Sequence, residues 1–174
     1  TGDLYIWYMN GTTPVGGSEL SPSRFADTRW QLRGVADFNG DGQADLVWHH
    51  KVTGDIYVWF MNGATAVGAS YTSPSRFADT RWKLVRVADF NNDGKSDLTW
   101  KNGSNVHGIW LMNGVGDPTY GAYYPAAGTL MHRIADFDGD GDSDILWRTG
   151  TGGYEISIMS GTTIQSTTPV LPGG

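Results

Sequence analysis

Asp37-Phe-Asn39-Gly-Asp41-Gly42-Gln43-Ala-Asp45 is the stretch on which the reading of this chain turns. The pattern returns at Asp89–Asp97, where Asn91, Asp93 and Lys95 hold positions 3, 5 and 7. It returns again at Asp136–Asp144, with Asp138, Asp140 and Asp142 at those positions. All three copies read D-F-[ND]-x-D-G-x-[AS]-D. Side-chain oxygens at positions 1, 3, 5 and 9 can converge, Gly at position 6 permits a sharp turn, and position 7 can offer its backbone carbonyl. Ca²⁺, which takes about six to eight oxygens at flexible distances, suits this donor set. The spacing predicts three Ca²⁺ sites with the odd-numbered positions of each loop as ligands. The third loop carries the most carboxylates and is expected to bind most tightly.

The flanking sequence excludes two other kinds of calcium loop. An EF-hand closes with a bidentate Glu at position 12 and sits between helices. Here position 12 is Trp48, Trp100 and Trp147, and flanks such as Asp45-Leu-Val-Trp48 alternate as strands do. The first Asp recurs at 37, 89 and 136, so the period is far longer than that of nonapeptide calcium repeats.

With 174 residues the chain is long enough for one domain with a buried core. Its 25 Gly, 8 Trp and 8 Tyr point to short strands and tight turns. The formal charge is −6, but ten of the eighteen carboxylates stand at positions 1, 3, 5 and 9 of the loops. Three Ca²⁺ would offset it, so the acidity is a metal-site signature. No basic stripe exists, which argues against nucleic acid, and no apolar run approaches membrane-span length, so no membrane insertion is expected. Cysteine is absent, leaving metal to staple the loops. Loops of this kind match extracellular calcium, which places the expected setting outside the cell or at its surface.

Aligned on the loops, the chain shows a unit of propeller-blade length. Thr53-Gly-Asp-Ile-Tyr-Val-Trp-Phe-Met-Asn-Gly63 repeats Thr1 to Gly11, returns as Gly108 to Gly114, and returns weakly as Tyr154 to Gly161. Ser21 to Trp30 is identical to Ser73 to Trp82. Four strands per unit follow from alternation and turn residues: Lys83 to Phe90, Asp97 to Lys101, Gly108 to Met112, and a fourth after the Asn-Gly turn, such as Ala64 to Ser70. The expected fold is all-β, a segment of a β-propeller built of four-stranded antiparallel blades. The units are drawn as a partial blade at 1–34 and blades at 35–86, 87–133 and 134–174.

The run A-D-F-N-G-D-G-x-[AS]-D-L-x-W, followed by T-G-D-x-Y-x-W-x-M-N-G, resembles the FG-GAP or VCBS repeats of integrin-like β-propellers. The resemblance implies a calcium site between the first two strands of each blade. It covers integrin heads, propeller lectins and repeats appended to secreted enzymes, so it implies the fold more firmly than the function. About three and a half blades cannot close a ring alone, and self-association or a longer propeller is expected.

Other motifs are weighed against packing. Trp7, Trp59 and Trp110 share one position, as do Trp48, Trp100 and Trp147, which suits packing between blades; Ser157 takes the place of Trp in the fourth copy. Arg24, Asp27 and Trp30, with their duplicates Arg76, Asp79 and Trp82, are a candidate glycan site: donors and an acceptor for hydroxyls beside a stacking ring. The alternative is an Asp–Arg pair pinning the crossover between blades. His49 and His50 fall at a strand end, where solvated polar residues are ordinary. No G-x-S-x-G, H-E-x-x-H or paired carboxylates outside the loops appear, and no enzyme is expected. The function expected is therefore that of a non-catalytic, extracellular, calcium-binding propeller module that binds carbohydrate as lectins do, with a glycan or cell-surface protein as partner. The alternatives are a structural, adhesive or self-assembling module, or a propeller appended to a secreted enzyme.

Overall fold

The computed structural model describes residues 3–123 and 125–170. Thr1 and Gly2 of the first hairpin, and residues 171–174 of the last unit, lie outside the described residues. The described chain holds fourteen strands and no helix. β1 (Tyr5–Asn10) and β2 (Thr13–Glu19) make a two-stranded sheet. β3 (Trp30–Ala36), β4 (Asp45–His50), β5 (Ile56–Asn62) and β6 (Thr65–Tyr71) make the second sheet. β7 (Lys83–Ala88), β8 (Asp97–Lys101), β9 (His107–Leu111) and β10 (Thr119–Tyr123) make the third. β11 (Leu130–Ala135), β12 (Asp144–Arg148), β13 (Tyr154–Ser160) and β14 (Thr163–Val170) make the fourth.

Each complete sheet is an antiparallel meander, and none closes on itself. These are propeller-like blades. The sheets begin at Trp30, Lys83 and Leu130, so the unit boundaries at 35, 87 and 134 fall inside β3, β7 and β11. The loop pattern marks the end of the first strand of each sheet, so a boundary drawn at the loop divides that strand. The first strand of every complete sheet carries one bulged residue, at Arg33, Val85 and His132. A bulge at the same place in each blade bends the strand and increases its twist just before the acidic loop.

Burial follows strand order. The two central strands β4 and β5, and likewise β8 and β9, are almost wholly buried, while β2, β6 and β14 are largely exposed. A strand buried on both faces needs a neighbour on each, and three apolar clusters supply them. Leu46, Trp48, Trp59 and Met61 pack against Ile6 of the first sheet and against Leu4 and Leu20, which flank it. Val47, Ile56 and Val58 pack forward onto Leu84, Leu98, Trp100 and Met112. Ile109 and Tyr123 pack forward onto Ile145, Trp147 and Met159. After each loop, positions 10 and 12 therefore face the preceding sheet, and position 11 of the first two loops faces the following one, as a period of two requires. Trp48, Trp100 and Trp147 pack between blades as expected, and so do Trp59 and Trp110. Trp7 does not: it stands exposed on β1, which has no strand on its other edge among the described residues.

Candidate functional site

The three acidic loops lie next to one another along one rim. The Asp37 carbonyl accepts the Ser96 N–H of the second loop (2.7 Å), and the Asp89 carbonyl accepts the Ser143 N–H of the third (3.0 Å). Inside each loop the carboxylates first organise the backbone. Asp37 accepts Gly40 N–H and Gly42 N–H, each at 2.7 Å, and Asp41 accepts Gln43 N–H at 2.8 Å. Asp89 repeats the reach to Gly94 at 2.9 Å, and Asp93 accepts Lys95 N–H at 2.8 Å. Asp136 accepts Gly139 and Gly141, and Asp140 accepts Asp142 N–H at 2.8 Å. Gly42 sits at φ +81°, Gly94 at φ +80° and Gly141 at φ +96°, which only glycine adopts without strain.

The ninth position ties the loop to its sheet. Asp45 accepts Phe38 N–H (3.0 Å) and Met61 N–H (2.9 Å), Asp97 accepts Phe90 and Met112 (each 2.7 Å), and Asp144 accepts Phe137 and Met159 (each 2.8 Å). All three carboxylates are fully buried. Burial pushes Asp45 up, and it pushes Asp97 up to about 7 despite the two backbone N–H groups that favour its anion. A carboxylate so far from water needs a cation beside it to stay ionised at neutral pH. In the third loop Asp136, Asp138 and Asp144 offer oxygens within 4.8 Å of one another and could hold a metal ion. The first two loops have Asn39 and Asn91 where Asp138 stands, and each amide turns its Nδ2 to the neighbouring Asp41 or Asp93.

The side chains at position 7 reach elsewhere. Gln43 Oε1 accepts Gly63 N–H (3.3 Å), Lys95 Nζ donates to Asn113 Oδ1 (2.7 Å), and Asp142 accepts Gly161 N–H (3.4 Å). They strap each loop to the Asn-Gly or Ser-Gly turn of its own sheet, a contact that period and spacing give no sign of.

The duplicated crossover is organised differently from the sequence grouping. Asp27 pairs with Arg29, not Arg24: Arg29 Nε and Nη2 donate to it at 2.9 and 2.8 Å, and Arg29 N–H donates at 3.0 Å. Asp79 and Arg81 repeat this geometry. In both copies the guanidinium holds the carboxyl well below the usual range. The Asp-x-Arg spacing was the available signal. Arg24 goes instead to Asp3 (3.0 Å) and Arg76 to Asp55 (3.0 Å). Trp30 stacks on Phe25 and Trp82 on Phe77, with ring centroids 5.0 and 4.8 Å apart. Phe25 is inserted among Trp30, Trp48 and Trp59, and Phe77 among Trp82, Trp100 and Trp110.

The two boxes differ at their mouths. In the second sheet Tyr57 and Tyr71 crowd Trp30, at 6.0 and 6.3 Å. The same register positions in the third sheet are Gly108 and Ala122, and there a cavity of about 310 Å³ opens, lined by Phe77, Trp82, Trp110 and Tyr120.

His49 and His50 are buried, contrary to the expectation of solvated strand-end residues. The next sheet and the crossover cover them. His49 lies edge-on to Trp100 of the following sheet, at 6.1 Å, and burial pushes its pKa down to about 4. His50 Nδ1 accepts Thr53 N–H at 3.0 Å, which leaves the proton on Nε2, 3.4 Å from Asp27.

An all-β chain of propeller-like blades, each complete blade closing an acidic loop between its first two strands, defines the class. The family model of the FG-GAP-like repeat matches residues 37–100, from the first Asp of the first loop to Trp100 beyond the second. That stretch is FG-GAP-like repeat sequence, as its resemblance implied. No curated protein and no solved structure matches the chain.

Proposed function

We propose that this chain is a non-catalytic, Ca²⁺-stapled module of propeller-like blades that works outside the cell and binds glycans at an aromatic crossover. The observation that carries the calcium reading is the convergence of Asp136, Asp138 and Asp144, next to a loop whose Asp97 carboxyl is fully buried. Ligands in the first loop are Asp37, Asn39, Asp41, Asp45 and the Gln43 carbonyl; in the second, Asp89, Asn91, Asp93, Asp97 and the Lys95 carbonyl. In the third they are Asp136, Asp138, Asp140, Asp144 and the Asp142 carbonyl. The ions pin the connection between two strands, and FG-GAP-like repeats generally do no chemistry of their own. The glycan reading rests on Trp82, Phe77, Trp110 and Tyr120 around one open cavity, with the Asp79–Arg81 pair at the same crossover. Aromatic faces complement the C–H faces of sugars, and charged pairs serve the hydroxyls.

Two measurements test this. Calorimetric titration of the metal-stripped protein with Ca²⁺ should show the third loop filling first, and no heat at millimolar Ca²⁺ would remove the calcium reading. A glycan array probed with the Ca²⁺-loaded protein should show defined binding that Tyr120→Ala abolishes without lowering the melting temperature. Silence on the array from folded, Ca²⁺-loaded protein would remove the glycan reading and leave a structural or adhesive module.

A further inference from the structure

One row of residues crosses the whole third sheet at the end remote from its acidic loop, which joins Ala88 to Asp97. Lys83 of β7 lies opposite Lys101 of β8, Lys101 opposite His107 of β9, and His107 opposite Tyr123 of β10. Residues directly opposite one another share a face of the sheet. The row faces the fourth sheet: His107 meets Trp147 edge-on at 5.1 Å, and Tyr123 packs with Ile145 and Trp147. The matching row begins Gln31, His49, Ile56 in the second sheet and Leu130, Arg148, Tyr154 in the fourth. Of the three complete sheets, the third alone sets two lysines against each other.

Like charges placed directly opposite on a sheet are destabilising. Among the described residues neither lysine has an acid within ion-pair distance. Arg86, next to the bulge at Val85, adds a third cation; its Nη1 donates to the Val85 carbonyl at 3.0 Å, and it too forms no ion pair among the described residues. His107 is 1% exposed, and neither of its ring nitrogens has a hydrogen-bond partner among the described residues. Burial first, and Lys101 second, push its pKa down to about 4, so at neutral pH it is an uncharged ring with one N–H to donate. Val85, Arg86, Lys101 and His107 line a cavity of about 230 Å³, completed by Leu130 and Met131 of β11. Glu155 of the facing sheet lines a different cavity, with Tyr123 and Trp147.

We propose that this cavity binds a small organic carboxylate with a short apolar body. The carboxylate lies among Arg86, Lys101 and the His107 N–H, and the apolar body rests on Val85, Leu130 and Met131. The guanidinium fork matches the two oxygens of a carboxylate, the anion relieves the facing lysines, and the buried ring gains an acceptor. A hydrated inorganic anion would serve the donors but leave the apolar wall unmatched, and the class is therefore an organic acid. The cavity shares no residue with the acidic loops or with the aromatic crossover cavity, so the proposal stands or falls apart from the calcium and glycan assignments.

The probe is butyrate, titrated at neutral pH and constant ionic strength into the Ca²⁺-loaded 174-residue chain while NMR follows the rings of its four histidines. The His107 signals should shift saturably, and those of His49 and His132 should stay in place. Arg86 is exposed and Lys101 half-buried, so changing both to Gln empties no core position. The double variant should keep its His49 signals and bind butyrate at least tenfold more weakly. Lys101→Gln alone removes the like-charge pair and should melt higher than the parent in chloride, whereas butyrate should raise the melting temperature of the parent by more than that of the variant. No saturable shift of His107 overturns the proposal and leaves its ring to water. An equal response to inorganic phosphate overturns the carboxylate class, and undiminished binding by either folded variant overturns the placement.

Discussion

Changing Asp97 to Asn separates a metal ligand from a buried hydrogen-bond anchor. Asp97 is fully buried and accepts two backbone N–H groups, from Phe90 and Met112, each at 2.7 Å. Without metal, burial holds its pKa at about 7, so at neutral pH the carboxyl is close to half protonated and Asn is a fair mimic of it. The amide offers one acceptor oxygen, and its NH₂ meets the second N–H, so about one hydrogen bond is lost, costing about 2 kcal/mol. With Ca²⁺ at about 100 times its dissociation constant, the site adds about 2.7 kcal/mol of stability. Weakening that site about a hundredfold reduces the gain to about 0.4 kcal/mol. Asp97→Asn should therefore cost about 2 kcal/mol in EDTA and about 4 kcal/mol in Ca²⁺. Urea denaturation of both proteins under both conditions measures the difference directly. An equal cost with and without Ca²⁺ would refute the ligand role and leave Asp97 as a structural anchor alone.

Three further outcomes are expected. Trp100→Ala removes a fully buried ring that meets Phe77, Trp110 and His49, and should cost about 3–5 kcal/mol in denaturant unfolding. Gly42→Ala forces a side chain into φ +81° and should lower stability by about 1–2 kcal/mol in both EDTA and Ca²⁺. In saturating Ca²⁺ the protein should lose stability as pH falls from about 6.5 to about 4, read from melting curves across that range. The reason is that burial holds His49 and His107 at about 4 in the folded state, against 6.5 when unfolded. The unfolded chain then binds more protons in that window, at a cost of about 2–3 kcal/mol for each histidine. In EDTA the fall should be shallower, because Asp97, raised by burial, binds its proton more tightly in the folded state and acts in the opposite sense.

The acidic pattern at Asp37, Asp89 and Asp136, its period and the alternation around it contained the blade, its strand order and the turn between its first two strands, because those are local requirements. A turn around a cation needs oxygens at alternate positions and a glycine where φ is positive, and a strand buried on both faces needs consecutive apolar residues. Who meets whom was not local. Tertiary packing alone carried Arg24 to Asp3 and Arg76 to Asp55, put Phe25 and Phe77 among the tryptophans, and buried His49 under the next sheet. The same tryptophan position is buried at Trp59 and Trp110 and exposed at Trp7, because burial belongs to the neighbouring strand and not to the residue. One repeated crossover sequence likewise ends in a filled box beside Tyr57 and Tyr71, and in an open cavity beside Gly108 and Ala122. The sites fixed by backbone geometry were written in the chain, whereas those made where two sheets meet depend on side chains many residues apart, which only the packed structure sets side by side.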